Sequence, residues 1–597
     1  MNINSLTAAC GVEQSIGGRR WVWRGGNMDF TSMGTGLPGD ALVHQLLLAR
    51  GVAPDDVPRH RQPTLRDFLP DPSAFRDMDA AAERIAQAVL RREAVTVYGD
   101  YDVDGATSAA LLVRLFAMLG HEAGFYIPDR LLEGYGPSGE ALVKLAEAGA
   151  SLIITVDCGA MAHDALSMAH DAGVHVVVVD HHKCASELPK AVALVNPNRL
   201  DESDLGAAYG HLAAVGVAFL LAVAVVRTLR AHQYFRDRSE PDLMSLLDLV
   251  ALGTVADVAS LHGLNRAFVA QGLKVMARRR NVGLAALIDS SRLSRAPVCS
   301  DLGFALGPRI NAGGRVGEAT LGVRLLTTGA MDEASHIADQ LSRLNEERRA
   351  IERQVQEEAE AQLGAQRDRA VHVVSGNGWH PGVIGIVAGR LKEKTGRPVI
   401  VIALDVETGQ GKGSGRSIAG VDLGAAVIAA RETGLLAAGG GHAMAAGLTI
   451  DTAQVAAFAD YMEQRLVDRV AGARTDRGMA LDLSVAPRGL NPDLVADVEA
   501  AGPFGVGWPS PRIATGPVQL VKVDVVGQDH VRLIARGGDG YSFKAIGFRM
   551  ADSELGQTLL HGCTGRRLWL AGRVKLDDWG ARPAAELHIE DAAFADR

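Results

Sequence analysis

The sequence predicts a multidomain α/β protein: a parallel-sheet domain, a bridging helix, a second α/β domain and a C-terminal OB-type β-barrel. Three observations carry this expectation. From about residue 78, helical runs alternate with short β-branched runs, the pattern of a doubly wound parallel sheet. The stretch DEASHIADQLSRLNEERRAIERQVQEEAEAQL keeps helical periodicity with a long charged face, as a helix crossing between domains would. From about residue 480, five runs alternate apolar and polar side chains, which suits a small barrel.

Taken in order, residues 1–77 carry Pro and Gly punctuation (GLPGD, DDVPRHRQPT) and read as an irregular N-terminal layer without identifiable chemistry. Residues 78–235 hold helix AAAERIAQAVLRRE, strand VTVY, helix TSAALLVRLFAML, strands SLIITV and VHVVVV, and ALVN: the parallel-sheet domain. Residues 236–368 read as helical, contain Asp257 and end in the bridging helix. Residues 369–472 return to α/β texture, with strands AVHVVS and PVIVIAL and helices GVIGIVAGRLKEK and VAAFADYMEQRL. Residues 475–597 supply VQLVKVDVVG, HVRLIARG, YSFKAIGF, RRLWLAGRVKLDDW and AAELHIEDAAF, with Tyr541, Phe543, Phe548, Trp569 and Trp579 as candidates for a stacking surface.

Composition narrows the function classes. A length of 597 residues corresponds to about four domains, and 47% hydrophobic with 22% charged residues excludes wholesale disorder. The net charge of −9 is the wrong sign for coating duplex DNA through bulk electrostatics, so a nucleic-acid site must be local. One local excess exists between Leu273 and Arg315, where Lys274, Arg278, Arg279, Arg280, Arg292, Arg295, Arg309 and Arg315 face only Asp289 and Asp301. Five scattered cysteines without a C-x-x-C pair argue against disulfides and thiolate zinc and point to a reducing cytoplasm. The uncharged run from Leu205 to Val226 is long enough for a membrane span, but its Ala/Gly content and its place between motifs of one domain predict a buried core helix and no membrane.

The chemistry sits just after the predicted strands. VTVY runs into Gly99-Asp100-Tyr101-Asp102-Val103-Asp104-Gly105, LIITV into Asp157-Cys158-Gly159, and HVVVV into Asp180-His181-His182. In an open parallel sheet the strand C-termini line one crevice, so three segments deliver carboxylates and imidazoles to one place, with Asp257 a fourth contributor. A lone Asp at a strand end is ordinarily a helix N-cap. Carboxylates gathered in one crevice repel each other without cations, and an oxygen-rich set with one or two imidazoles suits Mn²⁺ or Mg²⁺. Two such ions would activate water at neutral pH.

These residues carry a resemblance. GDYDVDGATS, TVDCG, VVVDHH with LPKAVALVNP, ALGTVADV, LGPRINAGGR, HPGVIGIVAGRL, GSGRS and GGGHAMAAGLT are similar to the DHH phosphoesterase superfamily and, in order and spacing, to its single-strand-specific 5′→3′ DNA exonucleases, over about residues 78 to 590. The resemblance implies a DHH catalytic domain, a DHH-associated domain across a cleft and an OB-fold, acting in DNA recombination and repair. It implies Asp102, Asp104, Asp157, His181 and Asp257 as ligands of two ions, Mn²⁺ or Mg²⁺, with Asp100 and His182 supporting them or contacting substrate. Cys158 departs from the Asn common there, which puts a side-chain hydrogen bond at that position in doubt.

Phosphate chemistry comes next. Gly413-Ser414-Gly415-Arg416-Ser417 and Gly439-Gly440-Gly441-His442 read as Gly-rich loops that bind phosphate oxygens. Arg130 and Tyr135 in PDRLLEGYG offer a phosphate clamp and an aromatic platform for a terminal base. Arg309 and Asn311 resemble family residues near the active-site phosphates, and Gln340 and Arg343 resemble backbone contacts. The resulting expectation is a metal-dependent exonuclease that threads single-stranded DNA, holds its 5′ phosphate with Ser414, Arg416 and Arg130, and releases 5′ mononucleotides. The resemblance admits a helicase and a single-strand-binding protein as partners. Two rivals remain at this level: a phosphodiesterase of cyclic dinucleotides or short RNA, and a catalytically inactive DNA-binding scaffold.

Overall fold

β-branched runs with helices on both faces form the catalytic sheet. The computed structural model describes residues 7–25, 39–130, 132–475, 478–577 and 583–595. The chain divides into two units, one of residues 70–259 and 271–475, the other of the described residues within 1–69, 260–270 and 476–597.

In the first unit, strands β1 (Val95–Gly99), β2 (Ala123–Tyr126), β3 (Leu152–Val156), β4 (His175–Val179) and β5 (Ala193–Val195) pair in the order β2-β1-β3-β4-β5, all parallel. Every side chain of β3 is buried, as expected for a strand covered on both faces. Helices α1 (Val103–Met118), α2 (Ala214–Ala231) and α3 (Leu247–Ala256) pack on one another. By length and composition α2 could cross a membrane. It is instead a core helix, buried continuously from Ala214 to Ala222 and again from Ala224 to Val226, which is why its sequence carries no charged face.

A π-helical turn, Leu302–Leu306, leads into α4 (Gly307–Val316), and α5 (Met331–Leu363) is the expected bridging helix, 33 residues long. Its first half buries Ile337, Ala338 and Leu341 against α4 and the helix Val282–Ser290. Its second half buries Val355 and Ala359 against β6 (His372–Asn377) and α6 (Ile384–Thr395).

The second sheet adds β7 (Val399–Leu404), β8 (Gln410–Arg416), β9 (Ala438–His442) and β10 (Ala445–Asp451), with α7 (Leu423–Glu432), in the order β9-β10-β8-β7-β6. Only β6 and β7 are parallel. Both Gly-rich stretches expected to be loops are strands. Glycine disfavours strands on propensity, but here it makes room: a Cβ on Gly411, Gly413 or Gly415 would lie within 3 Å of Ile402, Leu448 or Leu423. Those apolar side chains cover one face of β8, and the alternation leaves Lys412, Ser414 and Arg416 on the other.

The second unit is built on a barrel of β11 (Ile513–Val526), β12 (His530–Gly537), β13 (Ser542–Gly547), β14 (Leu568–Asp577) and β15 (Ala584–Phe594). The order β11-β12-β13-β15-β14 is closed by β11 pairing with β14, and the helix Glu554–His561 links β13 to β14. This is the expected OB-type barrel. Tyr541, Phe543 and Trp569 pack into its cores, Phe548 is half-exposed, and Trp579 lies outside the described residues. The N-terminal stretch is less irregular than its punctuation suggests. Arg20–Trp23 forms a strand parallel to Gly478–Leu481, burying Trp21 and Trp23, and helix Gly39–Ala49 packs on helix Pro492–Ala500. Partners from the far end of the chain leave no local signal.

Candidate active site

The strand order reverses between β1 and β3, and a crevice opens at the C-terminal ends of strands where such a reversal occurs. The loops after β1, β3 and β4 place their acidic and imidazole side chains there. Asp102 caps α1, accepting from the N–H groups of Asp104 and Gly105 at 2.8 and 3.1 Å. It is thus both helix cap and member of the cluster. Asp104, one residue into α1, is buried and accepts from the N–H groups of Ala214 and Val215 at the start of α2, at 2.7 and 2.9 Å. Asp157 follows β3 with φ +62°, a left-handed backbone uncommon for a non-glycine residue and characteristic of functional turns. Asp257 ends α3.

The Asp180-His181-His182 segment is held from beneath. Asp180 accepts N–H groups of Ala160, His181 and His182 at 3.0, 2.7 and 3.1 Å, and Nδ1 of His182 at 2.8 Å. Burial alone would raise its pKa, but the hydrogen bonds from His182 and the backbone hold it down at about 2. Asn196 and Asn198 donate to the carbonyls of His182 and His181. Sequence reasoning quoted Asp180 and Asn196 without assigning them this positioning work and stopped one residue short of Asn198; their place beside a motif strand was the available signal. Nδ1 of His181 donates to the Leu212 carbonyl at 3.0 Å, so Nε2 carries the lone pair. That Nε2 faces Asp157 Oδ1 at 3.3 Å and Asp104 Oδ2 at 4.0 Å.

Three groups have ligand atoms within 4.8 Å of one another: Asp157-His181-His182, Asp104-His181-Asp257 and Asp100-Asp102-Asp157. Among the described residues, Asp100 Oδ1, Asp157 Oδ1 and His181 Nε2 are buried without a hydrogen-bond partner. Acceptors aimed at one another in a buried place are destabilising unless a cation or proton lies between them. Burial, then Asp102, pushes Asp100 up to about 8 and Asp257 up to about 7. Asp104 and Asp157 are driven well above the carboxylate range, by burial and by Asp257 and Asp104 respectively. His181 is pulled down by burial and His182. The donor set fits hard divalent cations. Cys158 is buried and its Sγ donates to the Val156 carbonyl, and burial raises its thiol pKa.

A second constellation is cationic. The Arg130 guanidinium lies 4.9 Å from the centre of the Tyr101 ring. Asp129, Arg130, Arg315, Val316, Ala319 and His380 line most of a cavity of about 200 Å³. Arg315 donates to the Gly382 carbonyl, and burial and the Arg130 charge push it down to about 10. Burial and Arg130 also lower Arg416, whose Nη1 donates to Ser414 Oγ at 3.1 Å and the Gly415 carbonyl at 2.9 Å. His380 is lowered by burial and Arg130. The structure therefore joins Arg130, Ser414 and Arg416, and adds Arg315 and His380, which sequence reasoning passed over as one of a basic run and one of a motif.

Tyr135 donates to the Asp157 carbonyl and lies 3.1 Å from His182 Nδ1, with its ring partly exposed. Arg309 and Asn311 are on α4 and Gln340 and Arg343 on α5; Arg309 Nε donates to Ser342 Oγ, tying those two helices. His442 is exposed on β9, paired with Ala445. Within the basic run, Arg279 pairs with Asp289 and Arg295 with Asp301.

The parallel sheet with its carboxylate-imidazole crevice defines a DHH-type phosphoesterase, and comparison agrees: the DHH family N-terminal domain matches residues 94–254, the DHHA1 domain residues 368–468, and the RecJ OB domain residues 481–591. The chain is 37% identical to the single-stranded-DNA-specific exonuclease RecJ of Dickeya dadantii over 92% of this chain and 95% of that protein. It is 34% identical to RecJ of Bacillus subtilis, over 93% and 68%. The crystal structure of Thermus thermophilus RecJ with Mn²⁺ superposes with a TM-score of 0.73 at 29% identity, covering 93% of this chain and 78% of that one, and the Mg²⁺ complex with 0.67 at 28%. The chain belongs to the RecJ family.

Proposed function

We propose that this protein is a metal-dependent exonuclease that degrades single-stranded DNA from its 5′ end and releases 5′ mononucleotides, in DNA recombination and repair. One observation carries the reading: the unpartnered Asp157 Oδ1 and His181 Nε2 face each other beside Asp104. Asp102, Asp104, Asp157, His181 and Asp257 would hold two Mn²⁺ or Mg²⁺ ions. Bound there, the ions supply Lewis-acid charge and lower the pKa of water.

The chain's own residues do the rest. Asp180 and the Leu212 carbonyl orient His182 and His181. Asp100 and His182 support the ligands, and Tyr135 presents its ring to the terminal base. Arg130, Ser414 and Arg416 take the terminal phosphate through charge-assisted hydrogen bonds, with His442 a further donor on the second sheet. Arg309, Asn311, Gln340 and Arg343 follow the strand's backbone. The corresponding division is 1–77, a DHH domain over 78–235, a helical region over 236–368, a DHH-associated domain over 369–472 and an OB domain over 475–597. The reading places the protein in the cytoplasm, where a helicase and a single-strand-binding protein would supply and hold substrate.

End-labelled single-stranded DNA, duplex DNA, an RNA oligomer and a cyclic dinucleotide, each with Mn²⁺ or Mg²⁺, provide the test. Single-stranded DNA should be shortened from its 5′ end to mononucleotides while the others persist. Faster turnover of the cyclic dinucleotide would replace the reading.

A further inference from the structure

A large apolar side chain stands in solvent on the turn that packs against the helix end carrying Asp257. Phe304 is 80% exposed, on the π-helical turn Leu302–Leu306, whose end residues Leu302 and Leu306 are buried. Leaving a phenyl ring in water forgoes burial free energy of about 1.5–3 kcal/mol, and π-helical turns recur at functional sites. The turn is also braced. The Ala305 carbonyl accepts from Arg309 Nη1 at 2.7 Å, Arg309 Nε donates to Ser342 Oγ at 3.1 Å, and Ser342 bonds Ser290 at 3.1 Å.

Its neighbours locate it. A Cβ on Gly303 would lie 3.6 Å from Val255 Cγ1, and one on Gly307 would lie 3.3 Å from Ala256 Cβ and 3.9 Å from Val103 Cγ2. Val255 and Ala256 immediately precede Asp257, and Val103 stands between Asp102 and Asp104. The turn therefore rests on the helix end that presents one candidate ligand, and the residue that follows it, Gly307, lies against the segment that presents two more. At the same helix end Val258 is 62% exposed with φ +62°, a strained conformation for a β-branched residue.

We infer that Phe304 is a specificity-determining residue whose ring stacks on an unpaired nucleobase of the strand engaged at the metal centre. The inference rests on the reading of the protein as a single-strand exonuclease and deepens it. A phenyl face stacks on any base without reading hydrogen bonds, which gives sequence tolerance. A base inside a duplex has its faces covered by its own neighbours, so the same contact selects for single strands. Bracing through Arg309 holds in place the backbone that carries the ring, lowering the ordering cost of the contact.

The test compares wild type, Phe304→Ala and Phe304→Trp, with Mn²⁺, on a 5′-phosphorylated single strand and on the same strand carrying abasic spacers throughout its 5′ half. Phe304→Ala should raise KM on the normal strand about 5- to 100-fold, the worth of one base stack, with kcat within about twofold and an unchanged melting temperature. On the abasic strand it should change nothing. Phe304→Trp should restore KM. An unchanged KM on the normal strand, or equal losses on both strands, overturns the inference while the exonuclease reading stands. Failure of wild type to shorten the normal strand overturns both.

Discussion

His181 Nε2 lies 3.3 Å from Asp157 Oδ1 while the opposite ring nitrogen donates to the Leu212 carbonyl, so two acceptors face each other in a buried crevice. This contact predicts the behaviour of Asp157→Asn. Asn tolerates the left-handed backbone of position 157 and removes only charge. Cleavage should fall about a thousand-fold or more, since losing an ion ligand forfeits several kcal/mol of transition-state stabilisation, while single-strand binding persists. Mn²⁺ should raise the melting temperature of wild type and leave the variant unmoved. Near wild-type turnover in Mn²⁺ would remove Asp157 from the ligand set.

The same crowding predicts a pH dependence. Without metal, Asp100 and Asp257 titrate near 8 and near 7, far above an ordinary Asp. A carboxyl raised on folding contributes stability that is full below its unfolded pKa, near 4, and lost as pH rises through the folded value. The melting temperature of the metal-free protein should therefore fall between about pH 4 and pH 8. Mn²⁺ should flatten or reverse that slope, because it replaces the bound protons. Thermal scans at unit pH steps, in chelator and in Mn²⁺, decide it.

Much of the carboxylate-imidazole cluster was legible because it lies on the most regular part of the chain. VTVY, LIITV and HVVVV are buried parallel strands, and in that architecture the residues after strand C-termini must converge. What sequence hid was non-local or against propensity. GKGSGR reads as a loop by composition, yet its alternate glycines fit under Ile402, Leu448 and Leu423 and make it strand β8. Trp21 and Trp23 find their partners in Met479 and Leu481, which no local pattern announces. Arg315 and His380 meet Arg130 through tertiary folding alone.

Strand β8 sharpens the expectation for end recognition. Arg416 is fixed by Ser414 Oγ and the Gly415 carbonyl on a rigid element, with Arg130 close enough to lower its pKa. A terminal phosphate carries an extra charge that an internal diester lacks, and one charge-assisted contact is worth about 1.5–3 kcal/mol. Arg416→Ala should reduce the preference for 5′-phosphorylated over 5′-hydroxyl strands about 10-fold or more. Initial rates on the two ends at one fixed salt concentration check it. An unchanged preference would shift recognition to Arg130 and Arg315.

Arg266 predicts the stability of the second unit. Its guanidinium donates to the carbonyls of His60, Ala501, Gly502 and Pro503 and stands over the Trp508 ring, whose other cation is Arg50. Three distant segments are thus fastened by one buried fork that Lys cannot reproduce. Arg266→Ala should cost about 3–5 kcal/mol, as carbonyls lose a charged donor, and Arg266→Lys should recover only part. Chemical denaturation of the full chain measures both. A loss below about 1 kcal/mol would show that the three segments hold together by apolar packing.

On the barrel, Phe548 is flanked edge-on by His530 and His588 at ring-centre distances of 5.2 and 5.0 Å and is half-exposed. The three lie on the neighbouring strands β12, β13 and β15 or at their ends, the barrel face on which OB-folds take up oligonucleotides. Tyr541, Phe543 and Trp569 are committed to packing, so among the described candidates Phe548 is the aromatic left to stack on a base. Deleting residues 475–597 would be a poor test, because strand Arg20–Trp23 would lose its pairing with Gly478–Leu481. Phe548→Ala leaves that pairing intact. It should weaken binding to a strand of about 60 nucleotides by about 5-fold or more, the lower end for one stack, while hydrolysis of a short oligomer that spans only the metal centre keeps its kcat and KM. Equal effects on long and short strands would mean that Phe548 serves the barrel's fold rather than its hold on DNA.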